Sequence, residues 1–397
     1  MLLGLALIFL CGLVLAGLFE RLRLPALLGM LLTGIVLGPY ALDLLGGEVL
    51  AISPQLRKIA LIIILMRAGL ALDVGELKRA GRAALLLCFV PACFEIVGVL
   101  LFAPPLLGVS LAEAAVMGTV LAAVSPAVVV PRMLALIHTR RGTKKAIPQM
   151  IMAGAAVDDI FVMVLFTAAT GLVKGESVRA SALIQIPVSI VLGLLAGIAA
   201  GWLLAVLFGR AHLRDSAKVL ILLSASFLLV SLEDAVGSAV GFSGLLAVMS
   251  MGATLKMRCA PLAKRLADKF SKLWVGAELL LFVLVGAAVD IRYAAAAGLW
   301  VLPVILGALC MRALGVYCST AKTALTPKER LFCVFAYMPK ATVQAAIGGV
   351  PLAMGLACGD IVLTAAVLSI FITAPLGAIA IDKTQDRLLT QDETPCL

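Results

Sequence analysis

The sequence carries little charge: only 14% of its 397 residues are Asp, Glu, Lys or Arg, whereas soluble globular domains average about 25%. Hydrophobic residues make up 63% of the chain, and the mean hydropathy is +1.16. Apolar segments long enough to cross a bilayer recur from end to end, joined by short loops. No remaining segment is long enough to fold as a separate soluble domain. We therefore expect an all-α polytopic membrane protein, with residues 1–397 as one membrane domain.

The chain also lacks the motifs of several other classes of protein. Its nine cysteines are scattered without a CxxC, and its two histidines lie in loops far from them, so a zinc site or a disulfide framework is not expected. No HExxH, haem motif or nucleophile–base pair is present, and no repeated filter segment of a channel. We expect neither an enzyme nor a bound cofactor.

Thirteen hydrophobic spans are predicted. No basic residue precedes the first, so we interpret it as an uncleaved span rather than a signal peptide. The spans cover residues 2–19, 25–42, 57–73, 83–107, 112–137, 146–173, 182–209, 217–232, 237–255, 271–290, 295–320, 329–356 and 360–381.

We attribute the net charge of +10 to an excess of Lys and Arg in cytoplasmic loops rather than to a nucleic-acid-binding surface. With the N-terminus outside, 23 of the 32 Lys and Arg residues fall in cytoplasmic loops and the C-terminal tail, and only 5 in external loops. This asymmetry predicts an N-out, C-in orientation. Membrane lipids are then the expected surroundings, with no nucleic acid as partner.

Two spans combine helix breakers with polar side chains. "VLAAVSPAVVVPRMLAL" contains Pro126 and Pro131, and "FAYMPKATVQAAIGGVPLAMG" contains Pro339 and Lys340. A proline inside a helix removes a backbone hydrogen bond and costs about 3 kcal/mol. The two spans lie in corresponding halves of the chain and run in opposite directions. Such a pair indicates inverted repeats with two crossing broken helices and a binding site at the midplane.

Two adjacent aspartates lie near the middle of a predicted span. Asp158 and Asp159 follow 12 and 13 residues after the start of the span 146–173, where an ionised carboxylate costs about 2.5–3.5 kcal/mol or more to insert. Two carboxylates this close titrate as a coupled pair. A small hard cation bound by carboxylate and carbonyl oxygens would replace the protons, which gives exchange of cation for proton.

Other charges lie deep in spans. Glu95 and Arg312 would each be costly alone in lipid, so we expect them to form a buried ion pair, with Arg312 as a structural or gating cation because it does not release its proton. Lys340 is suited to compensating the half-helix ends that meet at a crossing of broken helices.

The motifs "LAAVSPAVVVPRML", "MAGAAVDDI", "YMPKATVQAAIGG" and "IILMRAGLALDVGELKR" together resemble the sodium/proton antiporters of the monovalent cation:proton antiporter-2 superfamily. Among these the chain is most similar to the NHA branch and its bacterial relatives, and the resemblance extends from the third span to the last. It implies a homodimer with an elevator-like movement. The implied core covers residues 83–173 and 295–381, and the implied scaffold residues 1–73 and 182–290.

The resemblance also assigns individual residues. Asp158 and Asp159 match the ion-binding aspartate pair, with Na⁺ or Li⁺ as cargo, and Glu95 and Arg312 match an ion pair of the NHA branch. Lys340 matches the lysine of the second broken helix. Ser125, with Pro126, matches the unwound stretch of the first, and we expect Ser125 and Thr342 to be further ion-binding residues.

The leading hypothesis is a secondary antiporter that exchanges Na⁺ or Li⁺ for H⁺ in the cell's inner (plasma) membrane and serves pH homeostasis. The alternative is a sodium-coupled symporter of an organic anion with a related fold, although few aromatic or basic residues stand near the breaks. The choice among Na⁺, Li⁺ and K⁺, and the stoichiometry, stay open at this point.

Overall fold

The computed structural model describes residues 1–22, 24–72, 81–173, 180–211, 213–236 and 242–391. Within these ranges the regular structure is helical, apart from one isolated bridge between Arg141 and Gln391. The helices are α1 Leu2–Arg21, α2 Ala26–Leu37, α3 Gly47–Ala51, α4 Ser53–Ala71, α5 Gly81–Leu87, α6 Val90–Leu107, α7 Leu111–Leu121, α8 Pro126–His138, α9 Ile147–Val173, α10 Ala180–Arg210, α11 Asp215–Val236, α12 Gly244–Arg258, α13 Ala260–Ala287, α14 Ile291–Ser319, α15 Pro327–Ala336, α16 Thr342–Ile347, α17 Val350–Ala353 and α18 Gly359–Leu388.

Each of the thirteen predicted spans overlaps one helix or a short run of helices, which confirms the all-α membrane class. Among the described residues, nine helical segments are long and apolar enough to cross a membrane, and the apolar segments Ala26–Leu37 and Thr342–Ala353 are shorter. The two other predicted spans correspond to α4 and α12. The last motif residues, 73–79, and the start of the ninth predicted span, 237–241, lie outside the described residues. The N-out, C-in orientation stays a prediction.

Of the three prolines predicted to break helices, Pro126 and Pro339 lie at breaks and Pro131 does not, and the structure has one further break that was not predicted. The predicted span 83–107 is interrupted between α5 and α6, and Pro91 lies in the first turn of α6, where its missing N–H costs no helical hydrogen bond. The span with Pro126 is broken as expected, and Pro126 opens α8. Pro131, in contrast, lies inside α8, which continues to His138. Pro339 lies in the gap between α15 and α16.

The chain forms two compact units. The first consists of Met1–Leu50, Gly75–Lys174 and Phe282–Leu397, and the second of Ala51–Val74 and Gly175–Leu281. The first unit contains both segments that are predicted to form the transport core, together with α1 and α2. The assignment of a moving core and a scaffold stays a prediction.

Glycines bring α6 and α14 of the first unit into close contact. A Cβ at Gly98 would lie 3.0 Å from the Cα of Ala308, and one at Gly315 would lie 2.9 Å from the Cα of Pro91. Only a hydrogen fits in these places, so the two helix backbones approach closely. This packing matters for the site because α6 carries Glu95 three residues before Gly98, and α14 carries Arg312 three residues before Gly315.

We expect Gly315→Ala to destabilise the protein by about 1–3 kcal/mol, because the added methyl group meets backbone that cannot move without separating α6 from α14. The measurement is thermal unfolding of the purified protein in detergent. Gly276→Ala is the matched control, since a Cβ at Gly276 meets no atom within 4 Å and alanine favours the helix. Equal changes in melting temperature for Gly315→Ala and Gly276→Ala would contradict the close packing of α6 and α14 as the cause.

Candidate ion-binding site

The first break comprises residues 122–125, between α7 and α8. It leaves backbone carbonyl groups without hydrogen-bond donors from a helix. Side chains from the other half of the chain satisfy two of them. The Nε2 of Gln344 donates to the Ala123 carbonyl at 2.9 Å, and Nη1 of Arg312 donates to the Ala122 carbonyl. Unwound backbone at this depth is tolerated because protein groups replace the missing helical hydrogen bonds.

Two N–H groups of the same break also have protein partners. The Val124 N–H donates to Oδ2 of Asp158 at 2.9 Å, and the Ser125 N–H donates to the Pro339 carbonyl at 2.8 Å. The second contact joins the two broken helices directly at their breaks. The predicted crossing of the broken helices is thus present in the structure.

The second break runs between α15 and α16. The Tyr337 carbonyl accepts a hydrogen bond from Nε of Arg312 at 2.6 Å, and the Lys340 N–H donates to Oγ1 of Thr373 on α18 at 2.9 Å. The Tyr337 ring also faces the guanidinium, with 5.6 Å between its centroid and the Arg312 Cζ atom. Arg312 is therefore oriented by both breaks at once.

Four buried charges form one ion-pair network. Arg312 lies between two carboxylates, with Nη1 at 2.8 Å from Glu95 Oε2 and Nη2 at 3.0 Å from Asp158 Oδ2. The Nζ of Lys340 lies 2.5 Å from the same Oε2 of Glu95. All four side chains are at most 1% exposed. Two positive and two negative charges thus neutralise each other within the network.

Asp159 stands apart from this network. It follows Asp158 on α9, and consecutive helix positions point about 100° apart, so the two carboxylates face different surroundings. Within the described part of the chain, no hydrogen bond or ion pair reaches the Asp159 side chain, and its Oδ1 atom is buried without a partner. The structure therefore separates the two aspartates into a paired carboxylate and an unpaired one.

Several other buried oxygen atoms near the breaks have no hydrogen-bond partner among the described residues. They are Ser125 Oγ, Thr342 Oγ1, Gln344 Oε1 and Asp158 Oδ1. Buried polar atoms are normally satisfied, and unsatisfied hydroxyl, amide and carboxylate oxygens are what a hard cation binds. No group of three or more His, Cys, Asp or Glu residues in the described ranges is gathered as for a resident metal ion.

The structure brings the predicted charged residues together and adds contacts that the sequence did not predict: Arg312 with Asp158, Lys340 with Glu95, and Gln344 with the first break. The Glu95–Arg312 ion pair is present, while its role in gating stays a prediction, as does the compensation of helix ends by Lys340. Sequence reasoning did not pair Lys340 with Glu95, and it did not assign a role to Gln344. A buried amide in a broken span was the only signal for Gln344.

Two crossing broken helices with buried carboxylates beside the breaks are features of secondary ion transporters. Comparison with solved structures identifies the fold. The fold is similar to that of the sodium proton antiporter MjNhaP1 from Methanocaldococcus jannaschii, with a TM-score of 0.85, 20% identity and 97% of each chain covered. The family model described as sodium/hydrogen exchanger, transmembrane, matches residues 5–383. The chain belongs to this family.

Curated relatives support the same assignment. Human sodium/hydrogen exchanger 9B2 is 33% identical to this chain, over 98% of this chain and 75% of its own length. Human sodium/hydrogen exchanger 9B1 is 32% identical, over 94% of this chain and 74% of its own length. These findings confirm the predicted antiporter family, a multi-pass membrane protein and the exchange of Na⁺ for H⁺. They give the symporter alternative no support.

Proposed function

We propose that Na⁺ or Li⁺ competes with one proton for Asp159, while Asp158 is held mainly by Arg312. Exchange is then one cation for one proton and moves no net charge. The observation that carries this proposal is the position of Asp159 outside the ion-pair network.

The balance of buried charge supports this assignment. Arg312 and Lys340 compensate Glu95 and Asp158, so the negative charge of Asp159 is the one left over among these five groups. A buried carboxylate without a counter-ion is costly. Either one proton or one monovalent cation removes that cost, and the site carries the same net charge in both cases.

The remaining oxygen ligands follow from the unsatisfied atoms. Ser125 and Thr342 supply neutral hydroxyl oxygens, and Asp158 contributes its free Oδ1. Such oxygens suit a hard cation.

The proposal includes alternating access in a homodimer with the predicted core and scaffold, in the inner (plasma) membrane, with no bound cofactor and no enzymatic step.

Exchange by the native chain should therefore be independent of membrane potential. In liposomes that contain a pH dye, we expect external Na⁺ or Li⁺, but not choline, to drive proton efflux at the same initial rate whether the potential is clamped at zero or at either sign. K⁺ serves as both the clamping ion and a test cation, so it is assayed separately at zero potential. A rate that changes severalfold with potential would contradict one-for-one exchange.

A further inference from the structure

Gln344 is a fully buried residue of α16 whose side chain reaches the other broken helix. Its Nε2 donates to the carbonyl of Ala123 at 2.9 Å and to that of Leu121 at 3.3 Å. Because both partners are carbonyl acceptors, the orientation of the amide group follows from the contacts. Gln344 thus satisfies two backbone groups that the end of α7 leaves without helical partners.

One of these hydrogen bonds leads directly to Asp158. The carbonyl of Ala123 and the N–H of Val124 belong to the same peptide group, which is planar and trans, so they point in opposite directions. Gln344 binds the carbonyl side, and Oδ2 of Asp158 accepts from the N–H side at 2.9 Å. We propose that Gln344 is a positioning residue that holds Asp158 through this single peptide group.

The peptide group transmits the effect in two ways. With both ends bound, it cannot rotate about its flanking bonds, so its N–H stays directed at Asp158. A hydrogen bond accepted by the carbonyl also polarises the N–H and strengthens the bond that it donates. Without Gln344, the buried carbonyl loses its partner and the peptide group is free to turn. Asp158 then keeps Arg312 alone as donor.

This inference rests on the proposed role of the aspartate pair in cation binding. In the proposed site the free Oδ1 of Asp158 shares the cation with Asp159, and a displacement of Asp158 would weaken that contact. Loss of Gln344 should therefore weaken Na⁺ binding only when the carboxylate of Asp158 is present. A general packing defect would weaken binding whether or not that carboxylate is present.

The experiment is a double-mutant cycle on Na⁺ affinity, measured as the Na⁺-dependent rise of the melting temperature in detergent. We expect Gln344→Met, which keeps length and volume, to raise the Kd for Na⁺ about tenfold, as for loss of a hydrogen bond to a charged group. In an Asp158→Ala background the same substitution should change the Kd less than about twofold. Gln149→Met on α9 is the matched control with unchanged Kd.

Equal effects of Gln344→Met in both backgrounds, or no effect in either, would overturn the inference. If Gln344→Met does not fold, Gln344→Glu is used in its place. We expect it to raise the Kd for Na⁺ about threefold, since a protonated carboxyl donates only one hydrogen bond. Asp159→Asn separates the two proposals. Na⁺ stabilisation that survives in Asp159→Asn refutes the proposed function itself, whereas a failed cycle refutes only the role of Gln344.

Discussion

Asp159→Asn is expected to abolish Na⁺-dependent proton movement and leave the protein at least as stable as the native chain. The exchanged cation and proton need the charge of this carboxylate, so the rate should fall to that of liposomes without protein. Stability should not fall, because no hydrogen bond or ion pair among the described residues reaches the Asp159 side chain, so the substitution removes a poorly solvated charge without breaking a contact. Proton flux in liposomes and thermal unfolding in detergent measure the two effects.

Asp158→Asn is the matched variant, because it makes the same chemical change one residue earlier. Here the charged partner of Arg312 Nη2 is lost, so we expect the free energy of unfolding to fall by about 3 kcal/mol. Na⁺ should still raise the melting temperature of this variant, although with weaker affinity. The opposite pattern, with Na⁺ binding lost in Asp158→Asn and kept in Asp159→Asn, would show that the two roles are reversed.

Arg312→Met is expected to cause the largest loss of stability, about 3–5 kcal/mol, because it leaves Asp158 without its cation in a fully buried place. It also removes the donors to the carbonyls of Ala122 and Tyr337. The measurement is again thermal unfolding. Arg292→Met is the control, since Arg292 lies on the same helix with an exposed side chain.

The charge balance also predicts a rescue. Combining Arg312→Met with Asp158→Asn removes one positive and one negative charge, and Lys340 still compensates Glu95. The double variant should therefore be more stable than Arg312→Met alone. A double variant that is less stable than both single variants would show that charge balance does not control stability here.

The sequence was informative wherever one arrangement of the chain has a much lower free energy in the bilayer than its alternatives. Pro126 and Pro339 indicated the breaks because a proline inside a helix removes a backbone hydrogen bond. Glu95 and Arg312 predicted an ion pair because either charge alone is costly in a bilayer. The break before Pro91 was missed because no second proline or glycine lies within five residues of it, so the sequence did not distinguish this proline from an ordinary one in a continuous helix.

The division of roles between Asp158 and Asp159 was not predictable from the sequence. The two residues are chemically identical neighbours, and only their tertiary partners distinguish them. Arg312 lies 154 positions further along the chain, and the Val124 N–H becomes available only once α7 is broken. The same holds for Gln344, whose acceptors lie more than 200 positions away.

The most direct test of the account is the stoichiometry of exchange at equilibrium. Proteoliposomes are prepared with a fixed tenfold Na⁺ gradient, and the opposing pH gradient is varied until no net proton flux occurs with the potential clamped at zero. One-for-one exchange at Asp159 predicts that flux vanishes at a difference of one pH unit. Balance at about half a pH unit would mean two protons per cation, and would contradict a single exchanging carboxylate.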